Sequence, residues 1–367
     1  NNKHTGPNVP ALRFPEFSGE WKTFQLSDLA AYSKERVKME ILSSNNYVST
    51  ENMQQDFAGI KDAISLPSSG TAVEFQVGDI LISNIRPYLK KIWLSDRNGG
   101  CSTDVLALRT KNEKVDSSFL YCCLANDDFV SYVMSGAKGV KMPRGDKQHI
   151  LSYNLGVPSV QEQRRIAELV SLLEKRISAQ SKIIEEQETL LKSLADSLIS
   201  SQVANMALND CVVARSSAMK ESELENSGPF PVFGASGLCG YSNEALEESD
   251  SILVTKDGSG VGTCQYATGA HSFLGTLCSL TAKEGVYLPY VYYALLNFNF
   301  ASFKTGLAIP HIYFKDYGKA VIYCPSYDEQ VRIASGLEKL EAKINTDKEL
   351  LKQYQLQKEY LLSRMFI

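Results

Sequence analysis

The sequence has no run of about 18 consecutive apolar residues, so a membrane-spanning helix is not expected. Its first ten residues, Asn1–Pro10, are polar and hold no apolar signal core, which points to a cytoplasmic location. Eight cysteines are present, but none forms a C-x-x-C pair. The four histidines (His4, His149, His271 and His311) make no H-E-x-x-H motif, so no metal site is expected. Without a secretion signal, the cysteines read as reduced, mostly buried thiols. The G-x(4)-G-K-[ST] loop of P-loop enzymes is missing. So is the D/N-P-P-Y/F motif of adenine methyltransferases; Asn84-Ile-Arg-Pro-Tyr88 shares only its outline. Asp257-Gly-Ser-Gly-Val-Gly262 follows the strand-like Ser251–Thr255, but Thr263 stands where a dinucleotide loop needs its third glycine. A nucleotide-dependent enzyme would rest on that loop alone. The plainer reading is a tight turn that brings backbone close to a ligand. No catalytic residue is assigned. Nor is basic charge in excess: 38 Lys+Arg stand against 42 Asp+Glu, which is not the footprint of an ordinary nucleic-acid binder.

What is present is more informative. A length of 367 residues with 44% hydrophobic content suggests two soluble domains. Charge is uneven between them. Residues 22–158 carry 16 basic and 15 acidic side chains, whereas residues 210–326 carry 7 and 11. An acidic domain alone grips phosphate weakly, so any DNA-reading role calls for a partner to supply backbone contacts. The chain also repeats itself. Gly139-Val-Lys-Met-Pro143 reappears as Gly306-Leu-Ala-Ile-Pro310, and Gln161-Glu-Gln-Arg-Arg-Ile-Ala167 as Asp328-Glu-Gln-Val-Arg-Ile-Ala334, at a constant offset of 167. Upstream, Gly78-Asp-Ile-Leu-Ile-Ser83 matches Asp250-Ser-Ile-Leu-Val-Thr255, and Ser118–Asn126 matches Pro289–Asn297, at slightly larger offsets.

Each half ends in a long heptad-patterned stretch. The first seam runs Ile166, Val170, Leu173, Ile177, Gln180, Ile184, Gln187, Leu191, Leu194, Leu198. The second runs Ile333, Leu337, Leu340, Ile344, Asp347, Leu351, Tyr354, Lys358, Leu361, Met365. A helix with one apolar stripe and so great a length needs a partner. The two are therefore expected to pair as an antiparallel coiled coil, with the Gln and Asp seam positions fixing register. Ahead of each helix, β-rich runs (Phe75–Ser83, Lys91–Leu94 and Val105–Arg109 in the first half) alternate with Gly- and Asp-containing turns, and shorter helices are predicted over 117–134 and 288–303.

These motifs resemble the specificity subunits of type I restriction-modification systems. The resemblance lies in Pro10-Ala-Leu-Arg-Phe-Pro-Glu-Phe-Ser-Gly-Glu-Trp21, in Pro158–Ala167 and Pro325–Ala334, in Phe230-Pro-Val-Phe-Gly-Ala-Ser-Gly-Leu-Cys-Gly-Tyr241, and in Lys358–Phe366. It covers essentially the whole chain. It implies an α+β fold: two tandem-repeat α/β target recognition domains joined by two long helices in an antiparallel coiled coil. The expected segments are 1–21 (N-terminal), 22–158 (first recognition domain), 159–203 (central helix), 204–326 (second recognition domain) and 327–367 (C-terminal helix). It further implies double-stranded DNA as ligand and a bipartite target with a fixed spacer. Two methyltransferase subunits and added restriction subunits are the implied partners. S-adenosylmethionine and ATP would sit on those partners, with no cofactor in this chain.

Candidate DNA contacts in the first domain are Asn84, Arg86, Tyr88, Lys90 and Lys91, and Lys138, Lys141, Arg144 and Lys147 around Gly139 and Pro143. Arg suits guanine edges and Asn adenine, while Lys more often grips phosphate. At matching places the second domain offers Lys256, Asp257, Ser259, Lys304, His311 and Tyr313. Glu162, Arg165, Glu329 and Arg332, as exposed flanks of the seam, are candidates for docking the methyltransferase. The competing reading is a coiled-coil scaffold with two non-DNA ligand-binding domains.

Overall fold

A computed structural model describes residues 8–306 and 309–366. Most of the polar leader, with His4, lies outside the described residues, as do Leu307 and Ala308 within the second Gly–Pro repeat, and Ile367. Among the described residues, no helix is long and apolar enough to cross a membrane. The chain forms two compact units. Unit 1 is Asn1–Ala179 with Lys352–Ile367; unit 2 is Gln180–Leu351.

The main sheet of unit 1 is antiparallel, with strands in the order Ala30–Tyr32, Val105–Thr110, Ile80–Ser83, Ile92–Leu94. Ile80–Ser83 is buried throughout, as a continuous apolar run predicts for a central strand. Unit 2 repeats this sheet with Val212–Ser216, Leu277–Ala282, Ser251–Thr255 and Cys264–Ala267. Register is repeated too, since Ile80 faces Leu108 as Ile252 faces Leu280. The secondary sheets differ. Unit 1 orders Arg36–Lys38, Thr71–Phe75, Gly99–Cys101 and Tyr47–Val48; unit 2 orders Gly237–Ser242, Phe230–Gly234 and Ser272–Phe273.

Several predicted elements are broken. The Phe75–Ser83 run splits at a turn where Asp79 accepts the Gln76 N–H and Gly78 adopts φ +87°. The 117–134 stretch divides into Ser117–Leu124 and Asp127–Ser135, because Asn126 leaves the helix to cap the Phe129 N–H at 2.9 Å. In unit 2 the matching stretch is Leu288–Leu296 followed by a single 3-10 turn, Phe300–Phe303.

The long helices are Val160–Ala195 and Tyr327–Met365. They pair antiparallel inside each unit. In unit 1, Lys358 meets Glu174 at 2.7 Å and the Arg176 guanidinium stands over Tyr354. In unit 2, Gln187 donates to Asp347 at 3.0 Å and Lys348 pairs with Glu188 at 2.6 Å. Asp347 is nearly buried in the seam, and its bonds from Lys343 and Gln187 hold its carboxyl below the usual range. Such a buried polar seam position specifies register. The predicted seam holds through Leu191 and then slips by one residue. Ala195 and Ile199 are buried, while Leu194 and Leu198 are exposed. Successive steps of four, ending in a π turn at Asp196–Ser200, turn the apolar stripe away from the strict heptad. Unit 1 also takes in the end of the second helix. Met365 is buried in its core, Phe366 stacks on Phe119 at 5.7 Å, and the Leu12 N–H donates to the Arg364 carbonyl.

Candidate functional site

In unit 1, the loop after Ile80–Ser83 and the Lys138–Arg144 hairpin are sewn together by main-chain bonds. Asn84 N–H donates to the Asp104 carbonyl, Arg86 N–H to Pro143, Gly145 N–H to Asn84, and Lys138 and Arg144 exchange both bonds. Unit 2 has the same five bonds. Lys256 N–H donates to Thr276, Gly258 N–H to Pro310, Ile312 N–H to Lys256, and Thr305 and His311 exchange both. These two clamps therefore match residue for residue: Asn84 with Lys256, Ile85 with Asp257, Arg86 with Gly258, Lys138 with Thr305, and Arg144 with His311. Gly139 and Gly306 both adopt positive φ, +95° and +85°, which explains the repeated glycine. In unit 2 a Cβ at Gly306 would also lie 2.4 Å from the Ile309 carbonyl.

Side chains fill the two clamps differently. In unit 1, Arg144 is over half exposed and pairs with Asp104 at 3.0 Å. Lys138 pairs with Asp146, which also caps the Gln148 and His149 N–H groups. Lys138 first, then those N–H groups, pull the Asp146 carboxyl down to about 2. Asn84 is only 8% exposed, and its Oδ1 has no hydrogen-bond partner among the described residues. Arg86 and Tyr88 are exposed. Arg86 adopts φ +50°, the left-handed region that non-glycine residues enter at a cost. In unit 2, His311 packs edge-on to Tyr313, and Lys315 lies over that same ring. Ser259 and Lys304 are exposed, and Lys256 and Asp257 are half-buried.

Not every basic side chain of the first run is free. Lys90 is held by Asp127 at 2.7 Å, which raises its pKa, and the Lys91 ammonium donates to the Thr50 carbonyl at 2.7 Å. Lys141 and Lys147 are exposed. Reading for basic residues alone passed over Val140 and Met142, exposed apolar side chains beside Gly139 at the hairpin tip.

The Gly-rich turn of unit 2 is not built for a nucleotide. Four of its N–H groups are bonded to main-chain carbonyls: Gly258 to Pro310, Val261 to Gly258, Gly262 to Thr255 and Thr263 to Gly260. A strand, Cys264–Ala267, follows instead of the helix whose N-terminus would hold a pyrophosphate. Gly262 is needed because a Cβ there would lie 2.7 Å from the Phe300 side chain.

The docking candidates separate as well. Glu162 is not an exposed flank. It is 1% exposed, bound by Arg13 through two 2.7 Å contacts and by the Trp21 indole N–H. The N-terminal motif and the first helix motif are thus one buried site. Glu329 is half-buried and pairs with exposed Arg332, while Arg165 is exposed beside Glu168 and Phe14. The neighbouring glutamines, which the sequence reading did not single out, form duplicated anchors. Gln163 accepts the Asp116 N–H and donates to the Lys114 and Pro158 carbonyls; Gln330 accepts the Tyr287 N–H and donates to the Pro325 carbonyl. Both are buried. All eight cysteines are free, and among the described residues no cluster of His, Cys, Asp or Glu is suited to a metal.

The family described as type I restriction modification DNA specificity domain matches residues 18–188 and 201–354. The type I restriction enzyme EcoDI specificity subunit of Escherichia coli is 28% identical over 100 residues, 27% of this chain and 22% of that protein. The MjaVIII specificity subunit of Methanocaldococcus jannaschii is 25% identical over 197 residues, 52% of this chain and 44% of that protein. The chain thus spans less than half the length of these relatives. The solved S subunit of a type I restriction-modification system from M. genitalium superposes with a TM-score of 0.68 at 19% identity, covering 98% of this chain and 99% of that one. A chain from a structure of type I restriction-modification complex assembly gives 0.56 at 17% identity, covering 94% and 97%. At these identities the likeness is one of fold.

Proposed function

This chain belongs to the type I restriction modification DNA specificity family, and on that premise we propose that it is the non-catalytic subunit that selects the DNA sequence. Unit 1 reads one half of a bipartite, asymmetric site and unit 2 the other. The paired helices fix the spacer and dock two methyltransferase subunits, to which restriction subunits add. Adenine methylation and cleavage belong to those partners, as do S-adenosylmethionine and ATP. Arg165 and Arg332, exposed near the start of each long helix, are the docking cations. The complex works in the cytoplasm, where DNA is reached and the eight thiols stay reduced.

One observation carries this reading: a clamp built twice from the same main-chain bonds and furnished with different side chains. Base edges are read by side chains, and two readers on one frame suit two unlike half-sites. The near-neutral first domain and acidic second domain support a shared grip on phosphate, with the partners supplying much of the charge. The test uses the chain in complex with a methyltransferase subunit of its system, sequencing the methylated adenines on a plasmid. Two short blocks with a fixed spacer are expected. Replacing residues 75–150 by those of another family member should change one block and leave the other intact; an unchanged motif refutes the assignment.

A further inference from the structure

The residue after the central strand's exit loop is left-handed in both clamps, and the two units solve that requirement differently. Unit 2 places Gly258 there, at φ +96°, with nothing within 4 Å of where a Cβ would stand. Glycine is therefore present for its backbone, since no neighbour excludes a side chain. Unit 1 places Arg86 at the same register, at φ +50°, just ahead of Pro87. A glycine would hold this loop with less strain. Strained residues of this kind persist where the side chain has work that the surroundings over-determine.

Arg86 also differs from the cations around it. Lys90, Lys138 and Arg144 each face a carboxylate, Asp127, Asp146 and Asp104. The exposed Arg86 side chain has no hydrogen bond or ion pair among the described residues, so its five-donor fork is unspent. Two residues away, Asn84 keeps an unpartnered Oδ1 in the same clamp. A phosphate contact needs only a point charge, which a lysine on an unstrained loop supplies. A planar fork held at one fixed backbone position fits the O6 and N7 acceptors of guanine.

We propose that Arg86 reads a guanine in the half-site served by unit 1, and that Gly258 leaves the corresponding base pair of the other half-site unread. This rests on the DNA-specificity reading above. The left-handed register is then the position that decides whether a half-site carries a guanine requirement.

The test is methylation of a plasmid library by the full chain with its methyltransferase, comparing wild type with Arg86→Gly and Arg86→Lys. Arg86→Gly gives unit 1 the residue of unit 2. It should turn one required G·C pair of one half-site into an unspecified position, with discrimination there falling by about 10- to 100-fold. The other half-site should keep every required base, and the unfolding midpoint should not fall. Arg86→Lys keeps the charge without the fork and should relax the same position. A wild-type motif retained by either variant overturns the proposal, as does loss confined to a position that is not G·C. If the wild-type complex itself methylates without a bipartite motif, the specificity reading fails and takes this proposal with it.

Discussion

Unit 1 and unit 2 share a frame and differ in what they hang on it. Both clamps close through the same five main-chain bonds, which any non-proline residue at the donor positions supplies. Side-chain identity is then free to change without disturbing the fold. Arg144, paired with Asp104 in one unit, becomes His311 beside Tyr313 in the other, and Arg86 becomes Gly258. Where side chains themselves make the joint, as at Gln163 and Gln330, the residue is kept. Main-chain joints license divergence; side-chain joints forbid it. One joint breaks the symmetry, because Glu162 is buried under Arg13 and Trp21 while Glu329 lies near solvent.

The largest effect should come from that broken symmetry. Glu162→Ala removes the carboxylate from Arg13, leaving it only the Ser18 and Gly19 carbonyls, strands the Trp21 indole N–H, and should destabilise the chain by about 3 kcal/mol in denaturant unfolding. Glu329→Ala should leave the unfolding midpoint where it was; equal losses from the two would show that the units are more alike than their contacts suggest. Next come the glutamine anchors. Gln163→Ala and Gln330→Ala each strand a helix-terminal N–H and should each cost about 2 kcal/mol, by the same measurement. A large inequality would break the equivalence of the anchors. Smaller in stability but visible in specificity, Arg144→Ala should relax one position in one half-site by about 1–3 kcal/mol, and His311→Ala one position in the other. Sequencing of methylated sites reads this, and relaxation of the same half-site by both variants would contradict separate readers. The smallest effect is ionic. Asp146 titrates at about 2 in the folded chain, below the ordinary aspartate range, so its contribution is fully present above the unfolded value and is lost only as pH falls through about 2. The Lys138–Asp146 bridge should therefore be unchanged from pH 8 to pH 5. An NMR titration placing the Asp146 midpoint near 4 would remove the bridge from the first clamp.

The repeat made the architecture legible. Gly139 and Pro143 with Gly306 and Pro310 marked both hairpins, and the paired Glu-Gln motifs marked both helix starts, because the glycines answer a positive φ and the glutamines hold main-chain groups through their side chains in both halves. The heptad pattern gave the helix pairing, and failed where successive steps of four bury Ala195 and Ile199 in place of Leu194 and Leu198, just where the helix runs into a π turn. Partners at long sequence separation were not legible. Nothing local to Glu162 announces Arg13, 149 residues away, and nothing in the run Lys90-Lys91 shows that Asp127 and Thr50 occupy those ammonium groups. The loops that meet in each clamp were singled out separately, and only the fold shows that they meet.

Unit 2 is one continuous stretch of chain, Gln180–Leu351, whereas unit 1 is closed by Lys352–Ile367, which follow it. The order of synthesis is thereby at odds with the order of the units. Unit 2 has all its residues once Leu351 has emerged from the ribosome. Unit 1, although its globular part is made first, waits for Met365 to complete its core and for Phe366 to stack on Phe119. Bridging so long an intervening segment adds little loop entropy, since that cost grows only with the logarithm of length. What it adds is time, during which the first-made domain leaves part of its apolar core uncovered and open to aggregation.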